Sequence, residues 1–206
     1  QKVCIKVWVS NKLPSGSGLF YIIIFSRGIP TNHQFTVANT GKVIYNGNTT
    51  GFGGSYNELT VNGTVTLGAV ELNGELNGNG EVTFNGATTG NGTAAHTGSV
   101  IYNESAQTVY GGSYGNLSLN GTRTLANAFT VNGAAVLNAV QNVTADIKFA
   151  GTTNAAEVGE YINATAGTVT YATTAAIYGG TYNNLVSEGA NTIYNNIMRI
   201  AKVYHI

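Results

Sequence analysis

FGGSYNELTVNGTVTL (residues 52–67) and YGGSYGNLSLNGTRTL (residues 110–125) are nearly the same phrase, and YGGTYNNLVSEGANTI (residues 178–193) is a looser third copy. Each opens on a glycine pair and a tyrosine. Apolar and polar residues then alternate, as in Leu59-Thr60-Val61 and Thr64-Val65-Thr66-Leu67, about an Asn-Gly step. Alternation at period two reads as a half-buried strand, and Asn-Gly as the turn between two of them. Upstream of each copy stands a matching strand: GKVIY at 41–45, GSVIY at 98–102 and GTVTY at 167–171. The unit therefore spans 41–67, 98–125 and 167–193. Gly53, Gly111 and Gly179 are spaced by 58 and then 68 residues, with the extra residues falling within 138–166.

Two architectures use such units. Asn-Gly recurs at 46–47, 62–63, 73–74, 77–78, 79–80, 85–86, 91–92, 120–121 and 132–133, because Asn and Gly tolerate the backbone of tight turns. In an antiparallel β-sandwich these would be hairpin turns. In a parallel β-solenoid they would be corners between the faces of a coil. Repetition favours the solenoid: one unit cannot bury its apolar face alone, whereas stacked coils bury a continuous core. A 58-residue period would divide into about three coils of roughly 20 residues, stacked about 4.8 Å apart. Val43, Leu59, Val61 and Leu67 would point inward, with Asn and Thr at corners and outside. The solenoid is expected over 38–196, flanked by an N-terminal extension at 1–37 and a C-terminal strand at 197–206.

The string V-x-Y-N…Q-T-V-Y-G-G-[ST]-Y-x-N-L-x-L-N-G-T-x-T-L at 100–125 resembles the repeat of bacterial cell-surface β-helical proteins of the adhesin and autotransporter-passenger kind. The likeness covers 41–67 and 98–125 well, 167–193 loosely, and 1–37 not at all. It implies a right-handed parallel β-helix outside the cell, used for adhesion or scaffolding, and it implies no catalysis. Composition agrees with an extracellular β-rich chain: 206 residues carry 28 glycines, two prolines and only 9% charged positions. The apolar run LFYIIIF (19–25) is far shorter than the roughly 20 residues of a membrane helix, and its β-branched residues read as a buried strand. Cys4 stands alone, so no intramolecular disulfide framework is possible.

The zero net charge hides a segregation. Lys2, Lys6, Lys12, Arg27 and Lys42 meet no acid within 1–42, and Arg199 and Lys202 close the chain. All nine acids lie between, with only Arg123 and Lys148 beside them. A basic end of one copy could dock on the acidic body of the next. No dense Lys/Arg cluster suits nucleic acid.

Chemistry is sparse. His33, His96 and His205 lack partners at metal-ligand or catalytic spacing, so no enzyme, metal site or cofactor is expected. Glu71 and Glu75 could approach each other through the VELNGELNG turn, and a retaining glycosidase requires two carboxylates about 5 Å apart, but without an aromatic or basic surround they read as solvated charges. Tyr56, Tyr114 and Tyr182 are expected to stack as a ladder along the repeat with Gly53, Gly111 and Gly179, a sugar-binding platform being the alternative. The Thr64/Thr66, Thr122/Thr124 and Thr168/Thr170 pairs would make a flat ice-binding face if aligned. Sequons at Asn48, Asn62, Asn91, Asn103, Asn116, Asn120, Asn142 and Asn163 would suit glycans on exposed corners. The ends matter most. Val3, Ile5, Val7, Trp8, Val9, Phe20, Ile22, Ile24, Ile200, Val203 and Tyr204 form the expected assembly interface, because an open sheet edge templates another strand. Head-to-tail β-strand addition would build a homopolymeric extracellular filament or surface layer. A cell-surface adhesin that binds glycan or another surface is the alternative.

Overall fold

The computed structural model describes residues 6–9, 20–24, 34–36, 41–155, 159–172, 175–193 and 198–205. Within them every regular element is a strand. All pairings are parallel except one, Lys6–Val9 against Phe20–Ile24. The chain is a β-solenoid of about nine turns, and the antiparallel sandwich is excluded.

The register shows how the turns stack. Val43, Leu59, Leu76, Ala94, Gly112, Phe129, Ile147, Val169, Leu185 and Val203 face one another from rung to rung. A turn therefore takes 16 to 18 residues, shorter than the 20 expected, except between Ile147 and Val169, where it takes 22. That long turn lies where the spacing of the repeats had put the extra residues. A complete turn lays down three short strands, as in Glu58–Val61, Thr64–Leu67 and Val70–Leu72, so the coil has three ladders.

The first ladder runs through Lys42–Tyr45, Glu58–Val61, Glu75–Gly78 and onward to the end of Met198–His205. The second runs through Thr49–Thr50, Thr64–Leu67, Glu81–Phe84 and Ala135–Leu137. The third starts at Gln34–Thr36, Gly53–Tyr56 and Val70–Leu72. It loses its strand over 103–110, where Thr108 N donates to Thr88 O and Ala106 N donates to Thr122 O. It resumes with Arg123–Leu125, Gln141–Val143 and Glu160–Ala164.

Inward positions alternate with outward ones along strands such as Lys42–Tyr45, Thr64–Leu67, Glu81–Phe84 and Arg123–Leu125. Val43, Leu59, Val61, Val65, Leu67, Val82, Phe84, Val100 and Val143 are wholly buried in one continuous core. Asparagines stack at the corners: Asn138 donates to Asn120, Asn120 to Asn103 and Asn103 to Asn85, all through side-chain amides at 2.5 to 2.8 Å. Such amide ladders satisfy turn side chains without water.

The ladders extend beyond both boundaries expected from the repeat. Phe20–Ile24 pairs in parallel with Lys42–Tyr45 and forms a rung, and Met198–His205 is a regular rung on Gly179–Glu188. Letter matching cannot find such rungs, because a rung needs only extended backbone and suitable inward residues, not the repeated phrase.

Candidate functional site

Inside the coil the repeated phrase closes a small polar knot. The Tyr45 and Tyr56 hydroxyls are 3.4 Å apart, Tyr56 donates to Phe52 O, and Phe52 N donates to Tyr45 Oη at 3.1 Å. The second unit repeats this: Tyr102 and Tyr114 are 3.3 Å apart, Tyr114 donates to Tyr110 O at 2.6 Å, and Tyr110 N donates to Tyr102 Oη at 3.4 Å. In the third, Tyr171 and Tyr182 are 2.9 Å apart and Tyr182 donates to Tyr178 O at 2.5 Å. A buried hydroxyl left without a partner is costly, so a closed circuit allows two tyrosines per unit to sit in the core. Burial pushes Tyr102 up to about 12, and Tyr114 and Tyr171 well above the usual tyrosine range. These phenols stay protonated and remain donors.

Two expectations are corrected by this geometry. Tyr56, Tyr114 and Tyr182 do not share a ladder position. Tyr56 faces Leu72, Tyr114 faces His96 and Val131, and Tyr182 faces Ile200. Each bonds instead to the tyrosine of its own unit, and all three are buried, so they offer no platform to a sugar. Gly53, Gly111 and Gly179 likewise face Gln34, Thr93 and Glu160 rather than one another. The second glycine of each pair carries the conformational demand: φ is +134° at Gly54, +122° at Gly112 and +148° at Gly180. A Cβ on Gly112 or Gly180 would overlap the carbonyl oxygen of Ala94 or Ile162. The demand comes from the neighbouring rung, which local sequence does not display.

The reason is rotational. Three turns from Leu59 end at Gly112, whereas the repeat places its equivalent leucine at Leu117, one ladder further round. Leu185, in the third unit, returns to the ladder of Leu59. For the same cause the threonine pairs are not aligned. Thr64 and Thr66 stand on the second ladder, Thr124 on the third, and Thr168 and Thr170 on the first.

The remaining sequence candidates are also dispersed. Glu71 lies on the third ladder and accepts from Ser55 Oγ at 2.5 Å; Glu75 lies on the first and accepts from Asn77 at 3.1 Å. His96 is buried with Nε2 at 3.0 Å from Gly80 O. His205 ends the last rung, and His33 lies outside the described residues. Among the described residues no group of three or more His, Cys, Asp or Glu is placed to hold a metal ion. Among them, too, no helix is long and apolar enough to cross a membrane.

Charge segregation in sequence is partly undone in space. Lys42 pairs with Glu58 at 3.6 Å and Arg199 with Glu160 at 3.0 Å, so two cations assigned to the basic ends are bound by acids of their own chain. Lys148 pairs with Glu188 at 2.7 Å. These partners lie one or two rungs away, beyond the reach of a reading along the chain.

The two ends of the stack differ. At the N-terminal end Lys6–Val9, which includes Val7, Trp8 and Val9, lies antiparallel on Phe20–Ile24, which includes Phe20, Ile22 and Ile24. Val3, Ile5 and Cys4 lie outside the described residues. At the other end Met198–His205 pairs on one side with Gly179–Glu188, and among the described residues its other edge is unpaired. Four large apolar side chains are exposed among the described residues, and three belong to this end: Ile193 at 58%, Val203 at 60% and Tyr204 at 50%. Ile200 is partly buried against the core. The last rung thus combines free backbone donors and acceptors with apolar surface.

No family model, curated protein or solved structure matches the chain.

Proposed function

We propose that this chain is a structural subunit of an extracellular filament or surface layer, assembling head to tail by β-strand addition at a terminal rung. The observation that carries this reading is the end formed by Ile193 and Met198–His205, where, among the described residues, an unpaired edge coincides with three of the four exposed large apolar side chains. An unpaired parallel edge recruits another strand, and a contact between unlike ends of identical subunits continues instead of closing. The wider reading, a surface protein of the β-helical adhesin kind, rests on the repeat phrase at 100–125.

The adhesin alternative has an observation of its own. A groove of about 260 Å³ on the first ladder is bordered by Gly112, Thr130, Asp146, Lys148 and Thr170. Hydroxyls beside one carboxylate and one ammonium suit a polar ligand such as a glycan. The two readings separate in one experiment. Sedimentation and electron microscopy are applied to the chain and to Val203→Lys with Tyr204→Lys, which place charge on the edge. Concentration-dependent filaments lost in the double variant support the assembly. A monomer at every concentration that is retained on a glycan array supports the adhesin instead.

A further inference from the structure

We propose that Asn73 is the site at which this chain deamidates spontaneously, ahead of its eight other Asn-Gly steps. The reaction needs two free groups: the Asn side-chain amide and the backbone nitrogen of the following glycine. That nitrogen attacks Cγ of the asparagine as it loses its proton; the Cγ–Nδ2 bond breaks and ammonia leaves, closing a five-membered imide. Water then opens the imide at either carbonyl, giving aspartate or isoaspartate. No oxidant or reductant enters.

The solenoid ties up one group or the other at the other eight steps. Asn46, Asn77, Asn85 and Asn120 accept side-chain hydrogen bonds at Oδ1. Asn62 and Asn132 donate theirs, to Asn46 and Ser113. At Asn79 and Asn91 the side chain is open, but the next nitrogen is held: Gly80 N donates to Val61 O at 3.0 Å and Gly92 N to Leu72 O at 2.8 Å. Asn73 is exposed, its side chain has no hydrogen-bond partner among the described residues, and Gly74 uses its carbonyl, accepting from Thr93 N, while among those residues its nitrogen donates to none. Conversion would set a third carboxylate between Glu71 and Glu75. The isoaspartyl product would lengthen the backbone at the corner joining Val70–Leu72 to Glu75–Gly78.

The test compares rates site by site, by peptide mass spectrometry that separates aspartate from isoaspartate. One sample is folded and one is held in denaturant, both in the same mildly alkaline buffer. In denaturant the nine steps share one local chemistry. In the folded chain Asn73 is expected to convert first, near its unfolded rate, while Asn62 and Asn120 slow by about tenfold or more, because each hydrogen bond must open before the reaction. The proposal is overturned if Asn73 slows as much as Asn62 and Asn120, or if another of the nine converts first. The outcome does not depend on whether the chain forms filaments.

Discussion

The unit at 41–67 and the unit at 98–125 carry almost the same letters, yet they sit on different ladders of the same stack. Tyr45 and Leu59 belong to the first ladder, whereas Tyr102 and Leu117 belong to the second. The tyrosine circuit nevertheless closes identically in both. What the repeat encodes is therefore a local device, a left-handed glycine followed by a hydroxyl circuit, and not a position round the coil. All three ladders offer the same parallel pairing, and the device is accommodated from two different starting ladders. At one buried position an apolar residue gives way to a charged one: Val65 in the first unit is Arg123 in the second, and both are buried. The Arg123 guanidinium donates to Gly121 O, Tyr102 O and Glu104 O at 2.9 to 3.3 Å, lies 5.6 Å over the Tyr102 ring, and leaves Nη1 without a partner. Burial lowers its pKa to about 10.

Among substitutions, the largest effect is expected at the glycines. Gly112→Ala places a Cβ against Ala94 O at a positive φ and should cost about 4 kcal/mol or more in chemical denaturation. Gly47, whose counterpart in the second unit is Glu104, has open space on its side-chain face, where a Cβ would meet no described atom within 4 Å. Gly47→Ala should stay within about 0.5 kcal/mol. Equal losses would mean that the retained glycine is not what defines the unit.

The hydroxyl circuit comes next. Tyr114→Phe removes the donor to Tyr110 O and the partner of Tyr102, leaving buried groups unmatched at a cost of about 1–3 kcal/mol. Tyr56→Phe should cost a similar amount, since its bonds are the same. A large cost in one unit and none in the other would show that the circuit is not transferable. The smallest effect is expected where the units differ. Arg123→Met replaces a buried cation that has no carboxylate partner, and thermal denaturation should show stability unchanged or raised by about 1 kcal/mol. A clear loss would make the arginine a structural requirement of the second unit.

Much of the fold could be read from Leu59-Thr60-Val61 and its copies, because inward alternation and Asn-Gly corners are local properties. The ladder position of each copy could not. It depends on a 58-residue period against turns of 16 to 18 residues, and a mismatch of about five residues moves a unit one face round. The partners of Tyr56, Lys42 and Arg199 were hidden for a related reason, lying 11, 16 and 39 residues away across the coil. The β-branched run at 19–25 pointed to a strand but not to the place of Phe20–Ile24 as a rung of the stack. At the candidate site, Val203 and Tyr204 were legible as apolar residues outside the repeat. Their exposure on an unpaired edge follows only from the stacking order of the rungs.

In the proposed assembly this edge joins one copy to the next, and electron microscopy of the purified chain over a range of concentrations decides whether it does. Unbranched filaments that lengthen with concentration are expected. Uniform single particles at every concentration would rule the assembly out.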